Sequence, residues 1–134
     1  MAEEVTFALV SPERVLLSQA AEMVVVPGED GDFGVLPGHA PLLSTVRAGV
    51  IEVYQEEKVA DRIFVAGGFA EVTGERCTVL AEEAVKLSEV EKASVEQRIN
   101  DNEQSINNLN PGEDASVYEA DLVIARALME ALAD

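Results

Sequence analysis

Glycine and proline punctuate the first part of this chain and then all but vanish. Eight of the nine glycines and four of the five prolines precede residue 85, and after it only Pro111 and Gly112 remain. Both residue types end regular elements, so the first part is cut into short pieces and the last part is free to run in long ones. Between the breakers lie nine Val-rich apolar runs, at 5–10, 15–17, 23–26, 33–36, 42–46, 50–54, 63–66, 69–72 and 77–80. Many short, closely spaced runs with no helical period between them predict a flattened β-sandwich or barrel. In the run at 50–54, Ile51 and Val53 share one face by simple alternation.

Residues 85–134 carry a helical period instead. Ser88-Glu89-Val90-Glu91 reads as a capping box opening one helix, and Ser116-Val117-Tyr118-Glu119 as one opening a second. Val95, Ile99, Ile106 and Leu109 fall on one helical face; so do Ala120, Ile124, Ala127, Leu128 and Ala131. The turn-rich connection around Pro111-Gly112 predicts an antiparallel hairpin. The expected organisation is a β-domain over 1–84 followed by a helical hairpin over 85–134.

Charge narrows the function. The chain holds 9 Lys and Arg against 26 Asp and Glu, a net charge of −17. About −10 of this belongs to residues 1–84 and −7 to residues 85–134. Nucleic acid is an unsuitable partner, because phosphate binding needs clustered cations, and an anionic lipid surface is disfavoured for the same reason. The opening Met1-Ala2-Glu3-Glu4 lacks the basic and apolar regions of a leader peptide. With one cysteine and no long apolar span, the chain is expected to be soluble, in a reducing compartment, and not inserted in lipid.

No constellation in the sequence carries bond chemistry. Cys77 and His39 are the only residues of their types. A cysteine–histidine nucleophile pair is conceivable, but Cys77 sits in an apolar strand pattern, where it reads as a small hydrophobe. His39 lies in the turn-rich Pro37-Gly38-His39-Ala40-Pro41 and reads as a turn residue. Gly28, Gly31 and Gly34 are interleaved with Glu29, Asp30 and Asp32. These carboxylates would repel a phosphate, and their spacing does not match a calcium loop. The segment reads as a hairpin turn with glycine at positive φ. No metal site, cofactor or catalytic residue is expected.

Two strings nonetheless carry a resemblance. Gly31-Asp32-Phe33-Gly34-Val35-Leu36-Pro37-Gly38-His39-Ala40-Pro41-Leu42-Leu43, preceded by the acidic turn, resembles the epsilon subunit family of bacterial F-type ATP synthases. Gly67-Gly68-Phe69-Ala70-Glu71-Val72 resembles that family's Gly-Gly-x-x-Glu-Val strand pair, and Thr78-Val79-Leu80-Ala81 its closing strand. The resemblance spans essentially the whole chain. It implies a ten-stranded sandwich, a helical hairpin and a non-catalytic place in the central rotor at the cytoplasmic face of the inner membrane. It implies the gamma subunit and the polar loops of the c ring as partners, with Glu29, Asp32 and His39 near the ring, and possible hairpin contact with the catalytic beta subunits. The family's nucleotide motif, Ile/Leu-Asp-x-x-Arg-Ala, corresponds to Val90-Glu91-Lys92-Ala93-Ser94-Val95. Glu91 and Ser94 replace its Asp and Arg, and serine cannot supply the phosphate pairing of arginine. Family hairpins that brake ATP hydrolysis use basic residues. This one is acidic, so weak or absent braking is expected, the alternative being an ATP-sensing inhibitory hairpin.

Overall fold

The computed structural model describes residues 3–133. Met1 and Ala2, which begin the segment read above for a leader, lie outside the described residues, as does Asp134. Ten strands come first: β1 (Val5–Val10), β2 (Val15–Ala21), β3 (Met23–Gly28), β4 (Gly31–Val35), β5 (Leu42–Thr45), β6 (Gly49–Gln55), β7 (Lys58–Ala66), β8 (Phe69–Val72), β9 (Arg76–Leu80) and β10 (Glu83–Lys86). A 3₁₀ turn at Leu87–Glu89 leads to α1 (Lys92–Asn107) and α2 (Ser116–Ala133).

The strands form two five-stranded sheets. One has the order β2-β1-β9-β8-β5 and the other β10-β7-β6-β3-β4. All pairings are antiparallel except β1 with β9, which runs parallel from Thr6 opposite Arg76 to Val10 opposite Leu80. Alternation decides which side chains enter the space between the sheets. Val5, Phe7, Leu9, Ala70, Val72, Cys77 and Val79 come from the first sheet, and Val24, Val26, Ile51, Val53, Ile63 and Val65 from the second; all are buried in one core cluster. Each fully buried aliphatic side chain contributes roughly 1.5–3 kcal/mol. Burial pushes the Cys77 thiol up to about 12, so it is an inert core residue and no nucleophile.

Some stretches of strand lie outside the apolar runs, among them residues 18–21 of β2. The first half of β7 is mostly exposed, and only its last four residues are buried, so no apolar run marks it. β10 is an edge strand whose two apolar residues are half-buried. It pairs with β7 from Glu83 opposite Ala66 to Lys86 opposite Ile63. The β-unit therefore continues beyond residue 84, and the chain divides into compact units at Ser88 and Glu89. Gly68 is required where β8 leaves β7. A Cβ there would stand 1.8 Å from the Leu80 carbonyl oxygen, so no other residue lets β8 approach β9 this closely.

The helical unit corrects both capping assignments. β10 holds the chain extended through Lys86, and the 3₁₀ turn then uses Ser88, so α1 begins only after Glu91. Glu91 is the N-cap at φ −95° and makes no side-chain cap bond. In α2, Ser116 is the first helical residue. The Ser116 backbone N–H and hydroxyl both donate to the Asp114 carboxylate at 2.9 Å, while the Glu119 N–H donates to the Ala115 carbonyl. Those bonds from Ser116 hold the Asp114 carboxyl below its ordinary range. On α1 the apolar stripe skips the six positions between Ile99 and Ile106, and the gap is filled by Asn102, the one buried polar residue among those described. On α2 the buried residues are Leu122, Ala125, Leu128 and Ala131. The expected face is thus rotated, and Ala120 is exposed.

The β6–β7 hairpin turns through Glu56 and Glu57, both left-handed at φ +53° and +64°. Such a turn normally takes Asn-Gly, since a side chain in this region costs about 1 kcal/mol. Glu57→Gly is expected to raise the unfolding free energy by about 0.5–1 kcal/mol in a urea titration. A loss of stability would show that the glutamate side chain holds the turn more than its backbone strains it.

Candidate functional site

Two surfaces of the β-unit stand out, and neither resembles a catalytic pocket. The first is the outer face of the β2-β1-β9-β8-β5 sheet. Register places Val15 opposite Val10, Val10 beside Leu80, and Leu80 opposite Phe69. Four apolar side chains thus form a row across four adjacent strands. On β5, the neighbouring Leu43 lies opposite Glu71. Val15, Phe69 and Leu43 are 62%, 44% and 67% exposed. Between them Val10, Phe69, Glu71, Thr78 and Leu80 line a shallow groove of about 240 Å³. A contiguous exposed apolar strip of this kind is costly in water and marks a partner surface.

The second surface is the acidic β3–β4 hairpin. Glu29 and Asp30 form its two-residue turn between the paired Gly28 and Gly31. Gly31 has φ +139°, the positive value the sequence reading anticipates. The Glu29 N–H donates to the Thr45 carbonyl at 2.9 Å, and the Arg47 N–H to the Pro27 carbonyl at 3.0 Å. The Arg47 guanidinium then forks. Nη1 donates to the Gly28 carbonyl at 2.6 Å, and Nη2 to Asp32 Oδ1 at 2.5 Å. Asp32 is thus bound to a cation of this same chain, although its side chain remains 59% exposed.

Glu29 and Asp32 are together, but His39 is not with them. The turn at Leu36-Pro37-Gly38-His39 closes by a His39 N–H bond to the Leu36 carbonyl, and the Gly38 N–H donates to the Gly74 carbonyl. That is the end of β5 where Leu42 meets Val72, whereas Glu29 bonds the Thr45 end. His39 therefore sits at the far end of β4, just before β5 begins at Leu42. Its Nδ1–H donates to the Ala40 carbonyl at 2.6 Å.

Glu91 and Ser94 are exposed at the start of α1. Deeper in the helical unit, Arg98 grips Asp121 with two bonds, Nε to Oδ2 at 3.0 Å and Nη2 to Oδ1 at 2.6 Å. The Asn102 amide donates to Asp121 Oδ2 at 2.6 Å and to the Arg98 carbonyl at 3.1 Å. The bonds from Arg98 lead in holding the Asp121 carboxyl below its ordinary range, against partial desolvation. Arg126 pairs with Glu103 at 3.7 Å.

Sequence reading did not find the apolar row or Arg47. A trace of the row is visible in Leu9-Val10 and Val79-Leu80, where consecutive apolar residues mean that both faces of a strand are apolar. Arg47 leaves no such trace, because its role depends on the approach of two segments fifteen or more positions apart.

Comparison with known proteins follows the same lines. Residues 4–87 match the family described as ATP synthase, Delta/Epsilon chain, beta-sandwich domain. The chain is 53% identical over 132 residues to an ATP synthase epsilon chain of Rhodospirillum rubrum, covering 98% of this chain and 96% of the relative. It is 50% identical over 138 residues to one from Rhodospirillum centenum, covering 99% and 94%. In fold it matches a chain of the Euglena gracilis mitochondrial ATP synthase structure containing OSCP, F1 and c-ring, with a TM-score of 0.81 at 22% identity, over 96% of this chain and 81% of that one. It also matches a chain of the Tetrahymena thermophila mitochondrial ATP synthase central stalk and c-ring structure, with a TM-score of 0.62 at 13% identity, over 97% of each.

The depressed Asp121 carboxyl links the hairpin to pH. A carboxylate held low when folded contributes stability above its unfolded value, and that contribution disappears as pH falls through the folded value. Wild type should therefore exceed Asp121→Asn in thermal stability at pH 7, and the gap should close as pH falls below the ordinary aspartate range. A gap independent of pH would mean that the aspartate charge does not hold the helices.

Proposed function

The chain belongs to the ATP synthase delta/epsilon family, and from that membership we propose that it is a non-catalytic central-stalk subunit coupling c-ring rotation to ATP synthesis at the cytoplasmic face of the bacterial inner membrane. The observation that carries this reading is the apolar row on the outer face of the first sheet. It suits a permanent protein neighbour, and the gamma subunit is assigned to it. His39, at the Leu42 end of β5, is assigned to this face as well. The β3–β4 hairpin that carries Glu29, Asp30 and Asp32 is assigned to the c ring's polar loops, where its exposed tip carboxylates can take charge-assisted hydrogen bonds from cationic side chains.

The hairpin is assigned little or no braking of ATP hydrolysis. Lys86 belongs to β10, which leaves the helical unit Lys92, Arg98 and Arg126 as its cations. Both arginines are already engaged with the hairpin's own carboxylates. Family hairpins that brake use basic residues, and an acidic element placed in the same contact would be repelled. The same pairing, with Ser94 where the family's nucleotide motif has arginine, weighs against the alternative of an ATP sensor.

Two experiments test this reading. Leu43→Glu combined with Phe69→Glu should leave the melting of the isolated chain unchanged and weaken its association with gamma at least about tenfold, since two charges would be buried in an apolar contact. Unchanged affinity would place gamma elsewhere. Ending the chain after Ser88 should alter the ATPase rate of the assembled complex by less than about twofold, or about 0.4 kcal/mol. A several-fold rise would show that the hairpin is an effective brake.

A further inference from the structure

The proposed ring contact treats the acidic turn as a set of equivalent carboxylates, but the geometry separates them. One guanidinium, that of Arg47, holds both the backbone and one of the acids. It bonds the Gly28 carbonyl at 2.6 Å and Asp32 Oδ1 at 2.5 Å. Its own N–H is tied to the Pro27 carbonyl, and the Glu29 N–H to the Thr45 carbonyl. Gly28 also forms a bridge with Val46. The base of the turn is therefore fastened to the 45–47 segment by backbone and side chain together, while Glu29 and Asp30 occupy the exposed tip.

We infer that Arg47 is a positioning residue for this turn: it fixes the backbone that presents Glu29 and Asp30, and it satisfies Asp32 within the chain, so that the two tip carboxylates and not Asp32 meet the partner's cation. The inference rests on the ring contact proposed above. A forked guanidinium suits the task because it offers parallel donors in a fixed plane, whereas lysine offers one mobile point charge. Asp32 acts on the partner only through Arg47. Its role is to accept a hydrogen bond, which a neutral amide can also do.

The test uses two readouts. One is protons pumped per ATP hydrolysed in the reconstituted complete synthase. The other is hydrogen exchange of the Glu29 and Arg47 amides in the full-length chain. Arg47→Ala should speed both amides at least about tenfold and lower the pumping ratio several-fold, with Arg47→Lys recovering part of each. Asp32→Asn should stay within about twofold of wild type in both readouts. The double variant Glu29→Gln, Asp30→Asn should lower pumping while exchange stays slow.

If Asp32→Asn lowers pumping as much as the double variant with exchange unchanged, Asp32 is itself a ring ligand and the inference fails. It fails as well if Arg47→Ala alters neither readout. If the double variant pumps normally while Arg47→Ala still speeds exchange, the ring contact of the proposed function is what falls, and the clamp remains only as a structural tie.

Discussion

The parallel pairing of β1 with β9 is the contact on which the β-unit depends. It joins residues about seventy positions apart, and loop closure over that distance must be offset by everything it brings together. Without it, the first sheet would be a β1–β2 hairpin and a separate three-stranded β9-β8-β5 ribbon. With it, Phe7 and Leu9 line up beside Cys77 and Val79 over the core. On the opposite face the same register sets Val10 beside Leu80 and completes the apolar row. One backbone ladder thus determines both the core and the surface assigned to gamma. The close approach at Gly68 serves this arrangement, since it lets β8 pair with β9 directly after leaving β7.

The two units are stabilised by different means. The sandwich relies on dense aliphatic burial between its sheets. The hairpin buries one valine on α1 and, three and seven residues beyond, places Arg98 and Asn102 against Asp121. A buried asparagine in an apolar seam is weak in stability but strong in register, because any slip would leave its amide without partners. The rotation of α2 follows from this cluster. With Asp121 turned inward, Leu122, Ala125 and Leu128 face the same way, and the face anticipated from Ala120 and Ile124 turns partly outward.

The excess of negative charge also has different meanings in different places. At the β3–β4 hairpin it is arranged: one acid is paired within the chain and two are left at the tip. In the helical unit it is diffuse, and both arginines are paired internally. That distribution supports a coupling role more readily than a charged grip on other subunits.

The amino-acid sequence by itself determined the class of fold, the break between strands and helices, the hairpin turn at Glu29 and Asp30, and the inert burial of Cys77. These depend on local period and on breakers, which need no knowledge of distant residues. It was also enough for the family, through the segments around Pro37-Gly38-His39 and Gly67-Gly68. Only the tertiary structure decided the rest. It separated His39 from Glu29 and Asp32, gave Asp32 to Arg47, moved both helix caps, and put Asn102 into the seam. Apart from the cap of α2, which rests on the local Asp114–Ser116 bonds, each of these depends on pairing between segments far apart in the chain, where register fixes which side chains meet, and no local pattern encodes register across such distances.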